Sequence, residues 1–157
     1  VKLVATVGTT GTFERFTALL VAFHHARPEV EVVFQYGRGS APGIPGAVEF
    51  LARDELLREM READLVLCHG GSGSVRDALA ACGNVAIVPR LAGRAEGVVD
   101  DHQQDLARAL AARGLVRIVN DLSDVLAALE RGRNPTKPTT SPLPNAVVRA
   151  LRDAMGE

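Results

Sequence analysis

The sequence predicts an α/β fold, three layers thick, with about six parallel strands. Three observations carry this prediction. Short valine-rich apolar runs alternate with stretches of helical periodicity from one end of the chain to residue 130. The apolar runs are continuous rather than alternating, as expected of strands covered by helices on both faces. The connections between most runs are short, which suits repeated strand–helix units.

KLVATV (Lys2–Val7) is the first strand and ends at Gly8-Thr-Thr-Gly. Phe13 to Ala26 follows as a helix, with Phe16, Leu19, Leu20 and Phe23 on one face and Pro28 beyond its end. Glu29–Gly37, EVEVVFQYG, reads as the second strand. A loop rich in Gly, Pro and Ser then leads to a short third strand, VEFL. Asp54 to Ala63 is a charged amphipathic helix with Leu56, Leu57 and Met60 turned inward. DLVLC is the fourth strand, Val75 to Cys82 a helix, and NVAIVP (Asn84–Pro89) the fifth strand. His102 to Arg113 is helical, LVRIV (Leu115–Val119) is the sixth strand, and Asp121 to Glu130 closes the pattern as a helix. Residues 1–130 therefore form the α/β domain. Residues 131–144 hold four prolines without periodicity and read as an extended connector. Residues 145–157 read as a last helix, with Val147, Val148, Leu151 and Met155 as an apolar stripe for its own domain or for a partner.

Composition narrows the functional classes. With 18 basic and 19 acidic residues, the formal charge of −1 offers no global attraction to nucleic acid or to an anionic membrane. Tryptophan is absent and tyrosine occurs once, which argues against a stacking platform for single strands. Cys68 and Cys82 both sit in apolar contexts, so two buried thiols in a reducing, cytoplasmic setting are expected. No apolar run approaches the roughly 18–20 residues that span a bilayer. No signal peptide is visible, and a start at Val1 rather than Met leaves the native start open.

The most informative stretch is CHGGSGSVRDAL, Cys68–Leu79, where the fourth strand runs into a helix. Three glycines and two serines are more than a turn needs. In an open parallel sheet, ligands bind beyond the carboxyl ends of the strands, where strand order reverses. Glycines let a ligand approach the backbone there, and a helix start offers unpaired N–H groups and a positive dipole end. With the hydroxyls of Ser72 and Ser74, the junction reads as an anion site, best suited to phosphate. The plainer alternative is a flexible turn with Ser72 or Ser74 as N-cap, though a cap needs only one such residue. Asp77, three residues after Ser74, is expected in the first turn, either to accept ribose hydroxyls or to suit the helix dipole. In VVDDHQQDLA (Val98–Ala107), Asp101 fits an N-cap with Gln104 completing a capping box. His102 and Gln103 equally fit an imidazole and an amide turned toward a sugar. The first strand is followed by GTTGTF rather than G-x-G-x-x-G, and no Gly-Lys-Ser/Thr occurs, so dinucleotide and P-loop readings lose ground. His24 and His25 read as a packing or exposed pair on their helix, and Arg90 and Arg94 as solvated loop charges.

VATVGTT, VEFL, ADLVLCHGGSGSVRDALAACG and DDHQQDLARALAARGLV, in that order, resemble the C-terminal domain of family 28 glycosyltransferases. That domain is the Rossmann-like, nucleotide-sugar-binding half of the GT-B architecture. The VGTT start and the single-domain length look most like the small catalytic subunits of two-part enzymes of dolichol-linked oligosaccharide and bacterial exopolysaccharide synthesis. The resemblance implies that Gly70, Gly71, Ser72, Gly73 and Ser74 hold the diphosphate of a UDP-sugar. It places Asp77, where the family usually has glutamate, at the ribose. Phe50 and Leu51 match the segment whose backbone recognises uracil, and His102 and Gln103, beside Asp101, match the region at the donor sugar. Gly8, Thr9 and Thr10 would line the cleft toward the acceptor half, with His69 either lining it or structural.

The implied activity is an inverting transfer of a hexose-type sugar from UDP to a lipid-linked acceptor. UDP-sugar is then a co-substrate, and neither a cofactor nor a metal is expected, since Asp100-Asp101 is not an alternating Asp-x-Asp motif. No residue stands out as general base, so the base is expected on the membrane-anchored partner subunit that the resemblance implies. That partner would place this chain peripherally at the cytoplasmic face of the membrane. The competing class is a nucleotide-sugar-binding module that never catalyses.

Overall fold

The structure is a computed structural model and describes residues 1–96, 98, 100–132, 148–149 and 151–153. Six strands form one sheet: β1 (Lys2–Thr6), β2 (Glu31–Gln35), β3 (Ala47–Val48), β4 (Leu65–His69), β5 (Val85–Val88) and β6 (Arg117–Ile118). Among residues 1–132 that the structure describes, five helices separate or follow them: α1 (Glu14–Ala26), α2 (Arg53–Glu62), α3 (Ser72–Ala81), α4 (His102–Ala112) and α5 (Leu122–Gly132). The strand order is β3-β2-β1-β4-β5-β6, and every neighbouring pair is parallel. The expected α/β, Rossmann-like architecture is therefore observed.

Alternate residues of each central strand serve opposite faces, which is why the strands read as unbroken apolar runs. Leu3, Ala5, Leu65, Leu67, Ala86 and Val88 pack with Phe16, Leu20 and Phe23 of α1 and Val125, Ala128 and Leu129 of α5. Val4, Val66, Cys68, Val85 and Ile87 pack on the other face with Met60 of α2, Val75 and Ala78 of α3, and Leu106, Ala107 and Leu110 of α4. Both thiols are buried, Cys68 completely and Cys82 nearly so. Leu151, in the helical residues 151–153, is buried in this second cluster. The connector expected over 131–144 lies outside the described residues from 133 onward, while Arg131 and Gly132 extend α5.

The edges of the sheet differ from the sequence expectation. β3 is two residues, Ala47–Val48, rather than Val48–Leu51, because the backbone N–H of Leu51 leaves the ladder and donates to the Gln35 side chain at 2.9 Å. Gly46 allows β3 to close on β2, since a Cβ there would lie 1.8 Å from the Val32 carbonyl oxygen. At the other edge, β6 is only Arg117–Ile118. The expected strand length over Leu115–Val119 is cut short where Leu115 bonds back to Leu110 at the end of α4.

Candidate functional site

Strand order reverses between β1 and β4, so the loop after β1 feeds α1 on one face while the loop after β4 feeds α3 on the other. A cleft of about 460 Å³ opens there. Gly8, Thr9 and Thr10 line one wall, and His69, Gly71, Ser72, Gly73, Ser74 and Asp77 the other. Gln35, Leu51, Arg53 and Leu56 close the side toward β2 and β3. A larger cavity, about 690 Å³, lies on the outer face of α1 beside Arg38–Ser40 and contains none of the glycine–serine junction. The convergent polar groups are in the smaller one.

Helix α3 begins at Ser72, three residues before the sequence expectation. Its N-cap is Gly71, in extended geometry (φ −68°, ψ 130°), and no side chain caps it. Neither Ser72 nor Ser74 is therefore the N-cap; both belong to the first helical turn. The Val75 N–H makes the bond back to Gly71 at 3.0 Å, so the N–H groups of Ser72, Gly73 and Ser74 find no acceptor among the described residues. Three uncapped donors at the positive end of a helix, bordering a cleft, are a ready anion site. The earlier start moves Asp77 from the first turn to the second. Its carboxylate is gripped by Arg53, Nη2 donating to Oδ1 at 2.8 Å and Nε to Oδ2 at 3.2 Å.

His69 explains two of the glycines. A Cβ on Gly8 would lie 2.5 Å from its Cε1, and a Cβ on Gly71 would lie 2.3 Å from its Nε2. Gly8 also has φ +78°, a conformation that side chains resist. The imidazole thus fills the floor between the two loops, and its Nδ1 is buried with no hydrogen-bond partner among the described residues. Burial, and then the positive charge of Arg90, push its pKa down to about 4, so the ring is neutral at pH 7.

The polar or charged residues buried in the described chain are Thr6, Gln35, Arg90 and Glu96, and all four gather at this end of the sheet. Thr6 Oγ1 accepts from the Gly8 N–H and from Gln35 Nε2, both at 3.0 Å. The Arg90 guanidinium donates to the carbonyls of Val7 and Thr10 at 3.1 Å, Thr12 at 2.7 Å, and Glu96. It also lies 4.8 Å from the centre of the Phe13 ring. Arg15 pairs with the Glu96 carboxylate at 2.7 Å. Arg90 is therefore not a solvated loop charge; only Arg94 of that pair is exposed. The carbonyls of the Gly8–Thr12 loop turn inward and need donors, and Arg90 supplies them. Sequence reasoning missed Gln35, Arg53 and Arg90. Gln35 stands where a dinucleotide-binding strand would end in an acid, which was the available signal; nothing in the sequence marked Arg53.

The remaining expected residues lie outside this cleft. Phe50 is exposed, and Gly70 packs under the start of α4, where a Cβ would come within 2.8 Å of the Gln103 backbone oxygen. The Gln103 side chain accepts from the Arg90 N–H at 3.2 Å, and Asp101 accepts from the Ala92 N–H at 3.1 Å. Because Asp101 is committed to that loop, the expected capping box with Gln104 does not form; Asp100 accepts the His102 N–H instead. The His102 side chain is exposed. His24 and His25 sit on α1, away from the cleft. Among the described residues, no three His, Cys, Asp or Glu side chains are grouped to hold a metal ion.

The profile of the glycosyltransferase family 28 C-terminal domain matches residues 3–146. The chain belongs to this family. Its sequence is similar to the UDP-N-acetylglucosamine transferase subunit ALG13 of Yarrowia lipolytica (strain CLIB 122 / E 150), 27% identical over 136 residues covering 78% of this chain and 67% of that subunit. The fold of this family 28 domain is shared with an NMR solution structure of ALG13 (TM-score 0.59, 16% identity, 99% of this chain and 96% of that one). It is shared also with the glycotransferase of kitacinnamycin (TM-score 0.61, 17% identity) and the calicheamicin glycosyltransferase CalG4 (TM-score 0.56, 20% identity). This chain covers 98% and 99% of its own length in those two matches but spans only 37% and 38% of the larger proteins. Among the described residues of the family 28 domain, no helix is long and apolar enough to cross a membrane.

Proposed function

We propose that this family 28 domain is the UDP-sugar-binding subunit of an inverting glycosyltransferase, moving a hexose-type sugar from UDP to a lipid-linked acceptor. The observation that carries the reading is the uncapped start of α3, with Ser72, Gly73 and Ser74 bordering a cleft at the point where strand order reverses. The diphosphate would sit against those N–H groups and the two serine hydroxyls. Asp77, further along the same helix and in the same cleft, would accept the ribose hydroxyls, and the Leu51 segment would face the base. In the displacement, the acceptor oxygen attacks the anomeric carbon, the bond to the diphosphate breaks, and negative charge grows on the leaving UDP. Donors already aligned on that diphosphate stabilise the charge as it develops, without reorganising. No metal is required in this scheme.

The acceptor hydroxyl must lose its proton. Asp77 is held by Arg53 at the ribose position, and His69, largely covered between the two loops, has a depressed pKa. The base is therefore assigned to a membrane-anchored partner that completes the cleft beyond Gly8–Thr10 at the cytoplasmic face. The Yarrowia relative, a transferase subunit by name, agrees with a divided enzyme. The same lack of a base favours one second reading, a nucleotide-sugar-binding module without catalysis. Transfer on mixing with an acceptor-binding partner separates the two.

The site assignment is tested by adding UDP-N-acetylglucosamine to the labelled chain and following amide resonances. Shifts centred on Gly71–Ser74, Asp77 and Leu51 are expected. Shifts confined to the cavity on α1 would overturn the assignment.

A further inference from the structure

The cleft has a charge problem that the UDP-sugar reading does not itself resolve. A carboxylate is wanted for the ribose, yet the neighbouring diphosphate is an anion, and like charges so placed repel. His69 offers no help, being neutral at pH 7. Of the described residues that line the cleft, Arg53 alone carries a positive side chain. It stands at the first position of α2 and reaches across to α3, placing two parallel N–H donors on the two oxygens of Asp77. The Asp77 side chain is mostly covered, while that of Arg53 is 65% exposed. An ion pair this open contributes little to folding. What the fork does accomplish is geometric: a planar guanidinium engaged with both oxygens fixes the plane of the carboxylate, leaving one lone pair on each oxygen for the cleft.

We propose, resting on the UDP-sugar reading, that Arg53 is a positioning residue of the nucleotide site: it orients the Asp77 carboxylate for the ribose hydroxyls and cancels its charge beside the diphosphate. The pair, rather than a lone carboxylate, is the ribose clamp.

The test is calorimetric titration with UDP of the wild-type chain, R53A, R53K, D77N and R53A/D77N, with thermal midpoints recorded alongside. R53A is expected to bind UDP on the order of tenfold more weakly, with a midpoint close to that of the wild type. R53K, which keeps the charge but not the fork, is expected to fall between. R53A/D77N is expected to lose less against D77N than R53A loses against the wild type, because Arg53 then has no carboxylate to orient and only its own attraction to the diphosphate remains. Should R53A fold poorly, R53Q replaces it, with the same expectation. UDP affinity of R53A within twofold of wild type overturns the proposal. An equal loss in the D77N background also overturns it, by showing that Arg53 acts on the nucleotide directly. A folded wild-type chain that ignores UDP brings down the underlying reading, and this inference with it; UDP binding by the wild type that R53A leaves unchanged brings down this inference alone.

Discussion

Gly73→Ala separates what the fold needs from what the ligand needs. Gly73 is the second residue of α3, and a Cβ there would meet nothing within 4 Å. Its backbone is helical, so nothing local requires glycine. Glycine in a helix interior costs roughly 0.5–1 kcal/mol relative to alanine, and less in the first turn. The substitution should therefore stabilise the chain by about 0.5 kcal/mol, raising the thermal midpoint by about 1–2 °C for a domain of this size. Gly73 lines the cleft beside the unpaired N–H groups, so an added methyl group enters space a ligand would use. A methyl group there would hold a diphosphate off those donors, and UDP affinity should fall by at least about tenfold, or about 1.4 kcal/mol. Thermal unfolding and UDP titration of the same preparation read both effects. A variant that is less stable, or that binds UDP as the wild type does, would refute the idea that this glycine serves the approach of a ligand.

Gly71→Ala should behave differently: its Cβ would press on His69 from one side while Gly8 blocks retreat on the other, so overpacking should cost about 1–3 kcal/mol and lower the midpoint by several degrees. Arg90→Met removes the donor to four carbonyls, those of Val7 and Glu96 buried and those of Thr10 and Thr12 partly so, and should cost about 3–5 kcal/mol in urea unfolding, with Arg90→Lys costing less. The folded His69 pKa, about 4, lies below its ordinary 6.5, so the unfolded chain binds more protons between those values and stability falls as pH drops through that window. Between pH 7 and pH 5 the loss from this group should be about 2 kcal/mol, measured as the difference between wild type and His69→Gln. Burial pushes the Cys68 thiol up to about 12, so it should resist thiol reagents at pH 8 until the chain unfolds.

The strand–helix alternation was legible because buried parallel strands must be apolar on both faces, and residues such as Val4, Val66 and Ile87 leave no polar interruption to misread. The glycine–serine junction was legible as a ligand site because its composition exceeds what any turn requires. The start of α3 was not, since Ser72, Gly73 and Ser74 are poor helix formers and pattern reading assigns them to the loop. They are helical because Val75 and Ala78 anchor the helix in the core while its first donors stay open toward the cleft. Arg53 and Arg90 look alike in sequence, each a charge beside a loop. Tertiary pairing separates them, one lying on the Asp77 carboxylate and the other buried under inward-facing carbonyls contributed by a loop some 80 residues away. The register of β3 was missed for a similar reason, because the Gln35 side chain competes with the ladder for the Leu51 N–H.

Calorimetric titration of the wild-type chain with UDP and, separately, with NAD decides whether the cleft at the start of α3 is a UDP site. Saturable binding of UDP at one site per chain, with no response to NAD, is the predicted result. NAD binding, or no UDP binding by a chain that is demonstrably folded, would contradict it.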